Sequence, residues 1–157
     1  MKKLFKKSFC ALLAVVCILS MPATAFAASV PVDTAHTPPQ TRASNFISSY
    51  SASLSSSSGT VSVSAIVRGT NTMTTIGATR IVLYESSNNG ASFTAIKTFS
   101  SGVYTAMLKS NSTTYSATPV SYSGVAGRQY YAVVTCYAQN SSGNDSKQYT
   151  TNTIIAR

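Results

Sequence analysis

The chain has 157 residues, with 12 Lys and Arg against 3 Asp and Glu and a single His, a formal charge of +9. Three carboxylates, one imidazole and three cysteines leave little material for acid–base catalysis, a metal cage or a disulfide framework. Beyond the N-terminus the bases Arg42, Arg68, Arg80, Lys97, Lys109, Arg128, Lys147 and Arg157 fall about one per segment. Tracking a phosphate backbone needs a clustered stripe, so no nucleic-acid partner is expected.

Met1 to Lys7 carries Lys2, Lys3, Lys6 and Lys7, and Ser8 to Met21 is almost wholly apolar. Pro22 and the small-x-small triplet Ala25-Phe26-Ala27 follow. A charged head, an apolar run and a cleavage site in that order predict a secretory signal peptide over residues 1–27, cut after Ala27, rather than a retained membrane helix. Cys17 follows Ala14-Val15-Val16, which lacks the small residue that lipid attachment requires just before the cysteine. No membrane anchor is therefore expected after cleavage. The remaining 130 residues hold eight bases and three carboxylates, a charge of +5, so a partner in an anionic cell wall is compatible with them. Their 44 Ser and Thr suit a single domain whose strands carry hydroxyls on the outer faces. Ala28 to Thr41 contains Pro31, Pro38, Pro39 and His36 without periodicity. Residues 28–43 are expected to form a flexible leader, with His36 a bystander in it, ahead of a domain over 44–157.

From Phe46 onward apolar residues recur with a period of two, the signature of half-buried strands. Phe46, Tyr50, Ala52 and Leu54 share one face, with Ile47 and the serines on the other, and Ser55 to Gly59 turns. Val61, Val63, Ala65 and Val67 alternate with Ser62, Ser64, Ile66 and Arg68 in the cleanest strand, which Gly69 to Thr72 is expected to end in a turn. Met73 and Ile76 then plug a connection, and Thr79 to Ser86, apolar on both faces, predicts a central strand. Asn88-Asn89-Gly90 supplies the positive φ of a hairpin turn. Phe93, Ala95 and Phe99 follow on one face with Ile96 opposite. Weaker strands are expected over Val103–Leu108 and Thr113–Thr118, and Pro119 marks an edge or a boundary. Tyr130, Ala132, Val134, Cys136 and Ala138 form one face of the next strand, a loop spans Asn140–Ser146, and Gln148–Ala156 is the last strand. Seven or eight short strands without helical periodicity predict an all-β, antiparallel β-sandwich, with a barrel as the alternative.

The run Tyr130-x-Ala132-x-Val134-x-Cys136-x-Ala138-x-Asn140-x-x-Gly143 resembles the penultimate strand and following loop of immunoglobulin-like, fibronectin type III-like domains. Ile81 to Ser86 with Asn-Asn-Gly and Phe93 is similar to their third strand and hairpin. The resemblance implies a tyrosine corner at Tyr130, its hydroxyl bonded to upstream backbone. From Arg42 onward the pattern also resembles a family of small secreted proteins of Gram-positive bacteria with no assigned function. The chain departs from true immunoglobulin domains in lacking a core Trp and a disulfide pair.

Catalytic chemistry is not expected. Beyond the leader only Glu85 and Asp145 are acidic and no His is present, so a paired-carboxylate site would have to use those two, and a Ser-His-Asp or Cys-His site has no imidazole. No catalytic residue, no cofactor and no metal site is expected; calcium at Asp145 with Asn144 would have one charged ligand. Cys136, on the apolar face, is expected to be a buried core thiol, the alternative being a bridge between chains. A Lys–Asn cross-link assisted by Glu85 would draw on Lys97, Lys109 or Lys147, for which solvent-facing side chains are the default.

Nine tyrosines remain as recognition material. Tyr131 and Tyr137 fall on the face opposite Tyr130, and Tyr84 opposite Leu83. Such rings are good strand residues and also bind sugars or peptides; the Asn140–Ser146 loop and the free strand edges are further contact points. The expected role is a monomeric, secreted, non-enzymatic binding or structural module at or outside the cell envelope, with an unknown protein or a cell-surface glycan as partner. The alternative is a secreted effector, bacteriocin-like or an enzyme inhibitor.

Overall fold

The computed structural model describes residues 44–157. The signal peptide, its cleavage at Ala27 and the leader with His36 lie outside the described residues. The described chain is all-β and antiparallel. Its strands are β1 (Ile47–Ser57), β2 (Thr60–Ser86), β3 (Thr94–Ser100), β4 (Leu108–Ser123), β5 (Gln129–Asn140), β6 (Gly143–Thr150) and β7 (Ile154–Ile155). All seven belong to one hydrogen-bonded sheet, curled as a half-barrel, rather than to the two separate sheets of the expected sandwich.

The reason is β2. Gly69 to Thr72 does not turn the chain, and the two strands expected on either side of it are one strand of 27 residues. Its first half pairs with β1 on one edge and β4 on the other; its second half pairs with β5 and β3. Around Thr75–Gly77 both β4 and β5 are paired, which puts β1 and β5 on one edge and β4 and β3 on the other. Register shifts between Arg68 and Met73 and between Ala78 and Arg80 bend the strand. Its halves curl around one core in which Val61, Val67, Met73, Ile76, Ile81 and Leu83 are wholly buried.

Gly77 makes the bend fit. It has φ +149°, and a Cβ placed there would lie 2.2 Å from the Met107 carbonyl oxygen, at the entry to β4. That entry is a short 3-10 turn, Thr105–Met107, in place of the weak strand expected over Val103–Leu108. The second weak strand, expected over Thr113–Thr118, is part of the 16-residue β4. Pro119 lies inside β4 at a register slip where it has no partner on β2, the one strand paired with β4 among the described residues, so the missing N–H costs no ladder bond. Opposite it the register slips between Val63 and Ala65, and this bulge moves the inward parity from Tyr115 and Ala117 to Val120 and Tyr122.

A similar slip between Ile47 and Ser49 turns Ile47 into the core with Tyr50, Ala52 and Leu54, against the expected face. A bulge at Ile96, between Leu83 and Tyr84 of the facing strand, brings that side chain against the core while Ala95 is exposed. The Asn88–Gly90 turn is as expected, with positive φ at Asn89 and Gly90 and an Ala91 N–H to Asn88 carbonyl bond. Asn140–Ser146 is not a loop: Asn140 pairs with Gly143 across Ser141-Ser142, and β6 has already begun. The expected last strand is divided at Thr151, whose hydroxyl accepts from the Ala132 N–H at 2.9 Å in place of a further ladder pair.

Candidate functional site

The candidate chemical groups are built into the scaffold. Glu85 accepts from Arg128 Nη1 at one oxygen and from the Tyr130 hydroxyl at the other. The Tyr130 hydroxyl in turn accepts from the Val125 N–H at 2.9 Å, a backbone bond of the kind expected of a tyrosine corner. The Gly124 N–H donates to the Gly59 carbonyl, so one loop, 124–128, is tied to both ends of β2. The Tyr130 bond, and after it Arg128, hold the Glu85 carboxyl below its ordinary range against the opposing effect of burial. Burial and the same carboxylate push the Tyr130 phenol up.

Asp145 performs the corresponding task at the other end of β5. It accepts from the Ser44 hydroxyl, the Ser146 N–H and Lys147, and Ser44 also caps the Phe46 and Ile47 N–H groups that start β1. The Ser44 bond comes first in lowering the Asp145 carboxyl. Glu85 pairs with Tyr130 and Asp145 with Ala138, eight residues along β5. At strand rise that is about 26 Å, beyond the roughly 5–9.5 Å of a paired-carboxylate site. The structure does not bring them together.

Cys136 is wholly buried in the core, the placement expected of it, and burial pushes its thiol up to about 12. Lys97 and Lys109 are exposed, and Lys147 sits by Asp145, not Glu85. Among the described residues no three His, Cys, Asp or Glu side chains cluster as metal ligands, and no helix is long and apolar enough to cross a membrane.

What remains for recognition is the outer side of the sheet, and its two halves differ. Around the first half of β2, rungs such as Ser53–Ser64–Thr118 and Ser55–Ser62–Ser121 present hydroxyls, interrupted at the centre by Ile66 and Arg68. Around the second half, rungs pair Tyr84 with Tyr131, Val82 with Val133 and Arg80 with Thr135, and Tyr137 follows opposite Gly77. Tyr84 and Tyr131 stack at 4.6 Å and 3°, and Phe93 meets Tyr131 edge-on at 4.9 Å. Burial, then Tyr84, raises the Tyr131 phenol.

The opposite-face placement of Tyr84, Tyr131 and Tyr137 was legible from alternation. Phe93 and Arg80 were not, because Phe93 reaches Tyr131 from the hairpin and Arg80 faces outward only through the bulge at Thr79. The strip is flanked by Thr98 and Ser100 of β3 and by Ser146, Gln148 and Thr150 of β6. Both carboxylates occupy inward register positions elsewhere, beside Tyr130 and Ala138. Comparison with family models, with curated proteins and with solved structures finds no match to this chain.

Proposed function

We propose that the protein is a secreted, non-enzymatic binding module that acts at or outside the cell envelope through the outer face of the β2–β5 half of its sheet. The observation that carries this is the solvent-side ring set Tyr84, Tyr131 and Phe93, continued along β5 to Tyr137, on a face that no other strand covers among the described residues. Tyrosine presents a large apolar body with a polar tip at little cost in side-chain entropy, and with Arg it is enriched among residues that dominate interfaces. The partner is a protein or a glycan of the cell surface, and the domain acts as a monomer. Kinship with immunoglobulin-like domains and with small secreted Gram-positive proteins belongs to the same proposal. The Val125–Tyr130 bond supports it, while a β2 shared by both halves departs from a two-sheet sandwich. Sedimentation of the mature protein with isolated cell envelopes tests the contact face. Tyr84→Ala with Tyr131→Ala is expected to abolish co-sedimentation while the chain stays folded by circular dichroism. Undiminished binding by that variant would refute the assignment.

A further inference from the structure

We infer that this face takes an acidic glycan, a sugar polymer carrying carboxylate or phosphate groups; the inference rests on the contact face proposed above and names its occupant. Charge comes first. Among the described residues the two carboxylates are spent internally, Glu85 on Arg128 and Asp145 on Lys147. Arg80, exposed at the centre of the strip, has no ion-pair partner there, and neither β2, β3, β5 nor β6 brings an acid to the outward positions around it. An uncompensated guanidinium on a face free of competing carboxylates favours an anion, and its planar fork matches a carboxylate or phosphate.

The second consideration is the surroundings of Arg80. Its cross-strand neighbours are Thr135 and Ser100, and Gln148 lies one strand further out. These are neutral groups that both donate and accept, suited to a partner rich in hydroxyls. Rings lie at both ends of the strip, Tyr131 with Tyr84 at one and Tyr137 at the other, six residues apart on β5, or about 20 Å. That length fits several sugar units in a row and exceeds a single one. A protein partner would be served by a continuous apolar centre; here the centre is Arg80 and Thr135, with Val82 and Val133 to one side.

Native affinity electrophoresis of the mature protein decides the point, with three polymers cast separately in the gel: carboxymethylcellulose, hydroxyethylcellulose and polyglutamate. Strong retardation is expected in carboxymethylcellulose and little in the other two. Arg80→Gln should lose most of that retardation. Arg68→Gln, which removes the same charge from an exposed position on the other half of the sheet, should keep it. Tyr131→Phe, which preserves the ring and its stacking, should retain more binding than Tyr131→Ala. Equal loss in the two Arg variants would mean attraction by net charge alone and would overturn the inference. Equal retardation by polyglutamate would overturn the glycan class, and equal retardation by hydroxyethylcellulose its acidic character. Absence of retardation in all three gels, with envelope binding still abolished in the Tyr84→Ala, Tyr131→Ala variant, would refute the acidic glycan and leave the contact face standing.

Discussion

The two halves of β2 are one strand under two regimes. In the first half the inward residues Val61, Val63, Ala65 and Val67 are at most 1 % exposed, while the outward ones are Ser, Thr, Ile66 and Arg68 facing water. In the second half Ile81 and Leu83 are buried inward, and outward Val82 is only 8 % exposed. Hydrogen bonding does not separate them, since each half has a neighbour on both edges. The difference is what the outer surface carries: a hydroxyl lattice that water satisfies, against rings and branched side chains that cover one another. A strand with a wet outer face and one with a partly covered outer face can thus be continuous, provided the bend between them is built.

The bend is where the comparison breaks most easily. Gly77→Ala places a Cβ 2.2 Å from the Met107 carbonyl oxygen, which is backbone and has no rotamer by which to escape, at a φ that L side chains avoid. The expected loss is about 3 kcal/mol or more, read as a lower midpoint in urea denaturation. Gly102→Ala, where the nearest atom is a serine hydroxyl at 3.9 Å, serves as the control and should be near neutral.

The junction where the two ends of β2 meet should respond less, and in a pH-dependent way. Tyr130→Phe removes the hydroxyl that serves Glu85 and the Val125 N–H together, an expected cost of about 1–3 kcal/mol. Glu85→Gln keeps the shape, and its cost is expected at about 1 kcal/mol at neutral pH, held down by the solvent around Arg128, whose side chain is 42 % exposed. The folded carboxyl titrates below its unfolded value of 4.5. Its contribution is therefore complete above about pH 5 and drains away as pH falls through the folded value. Urea midpoints measured from pH 7 down to pH 3 should fall more steeply for the wild type than for Glu85→Gln. At the alkaline end the sign reverses: Tyr130, Tyr115 and Cys136 titrate above their ordinary values, the last two at about 12, so the contribution of Cys136 is complete below about pH 9 and those of the tyrosines below about pH 10, and each drains away as pH rises from there through the folded value.

Alternation made the faces legible wherever the register is regular. Val61 to Val67 and Tyr130 to Ala138 occupy the faces that a period of two assigns them. It failed at irregularities, because a bulge inverts parity without leaving a mark that composition can show: Ile47 and Val120 flank such slips and Ile96 is itself the bulged residue. Gly69 and Asn71 are turn residues by type, yet at a bend in a long strand the same small or polar residues absorb strain without ending the ladder. Single-sheet connectivity was hidden for that reason, since two strands joined by a turn and one bent strand share the same apolar pattern. At the candidate face, Tyr84, Tyr131 and Tyr137 were legible as outward residues, but Arg80 and Phe93 depend on the bulge at Thr79 and on the approach of the hairpin.

The smallest expected effects test the contrast between the halves most directly. Ser64→Ala removes one hydroxyl from the outer lattice and with it the 2.7 Å bond to Thr118, both exposed to water that replaces it. Its cost should lie within about 0.5 kcal/mol, as for other solvated surface positions. Val82→Thr occupies the corresponding outward side of the second half and nearly preserves volume, yet it puts a hydroxyl at an 8 % exposed site beside Val133 and the tyrosine pair. There the loss should be about 1–2 kcal/mol. Equal midpoints for the two variants in urea would mean that the outer face of the second half is as wet as that of the first. The covering of Val82 between its cross-strand neighbours Val133 and Thr98 would then contribute nothing to holding the strip in shape for a partner.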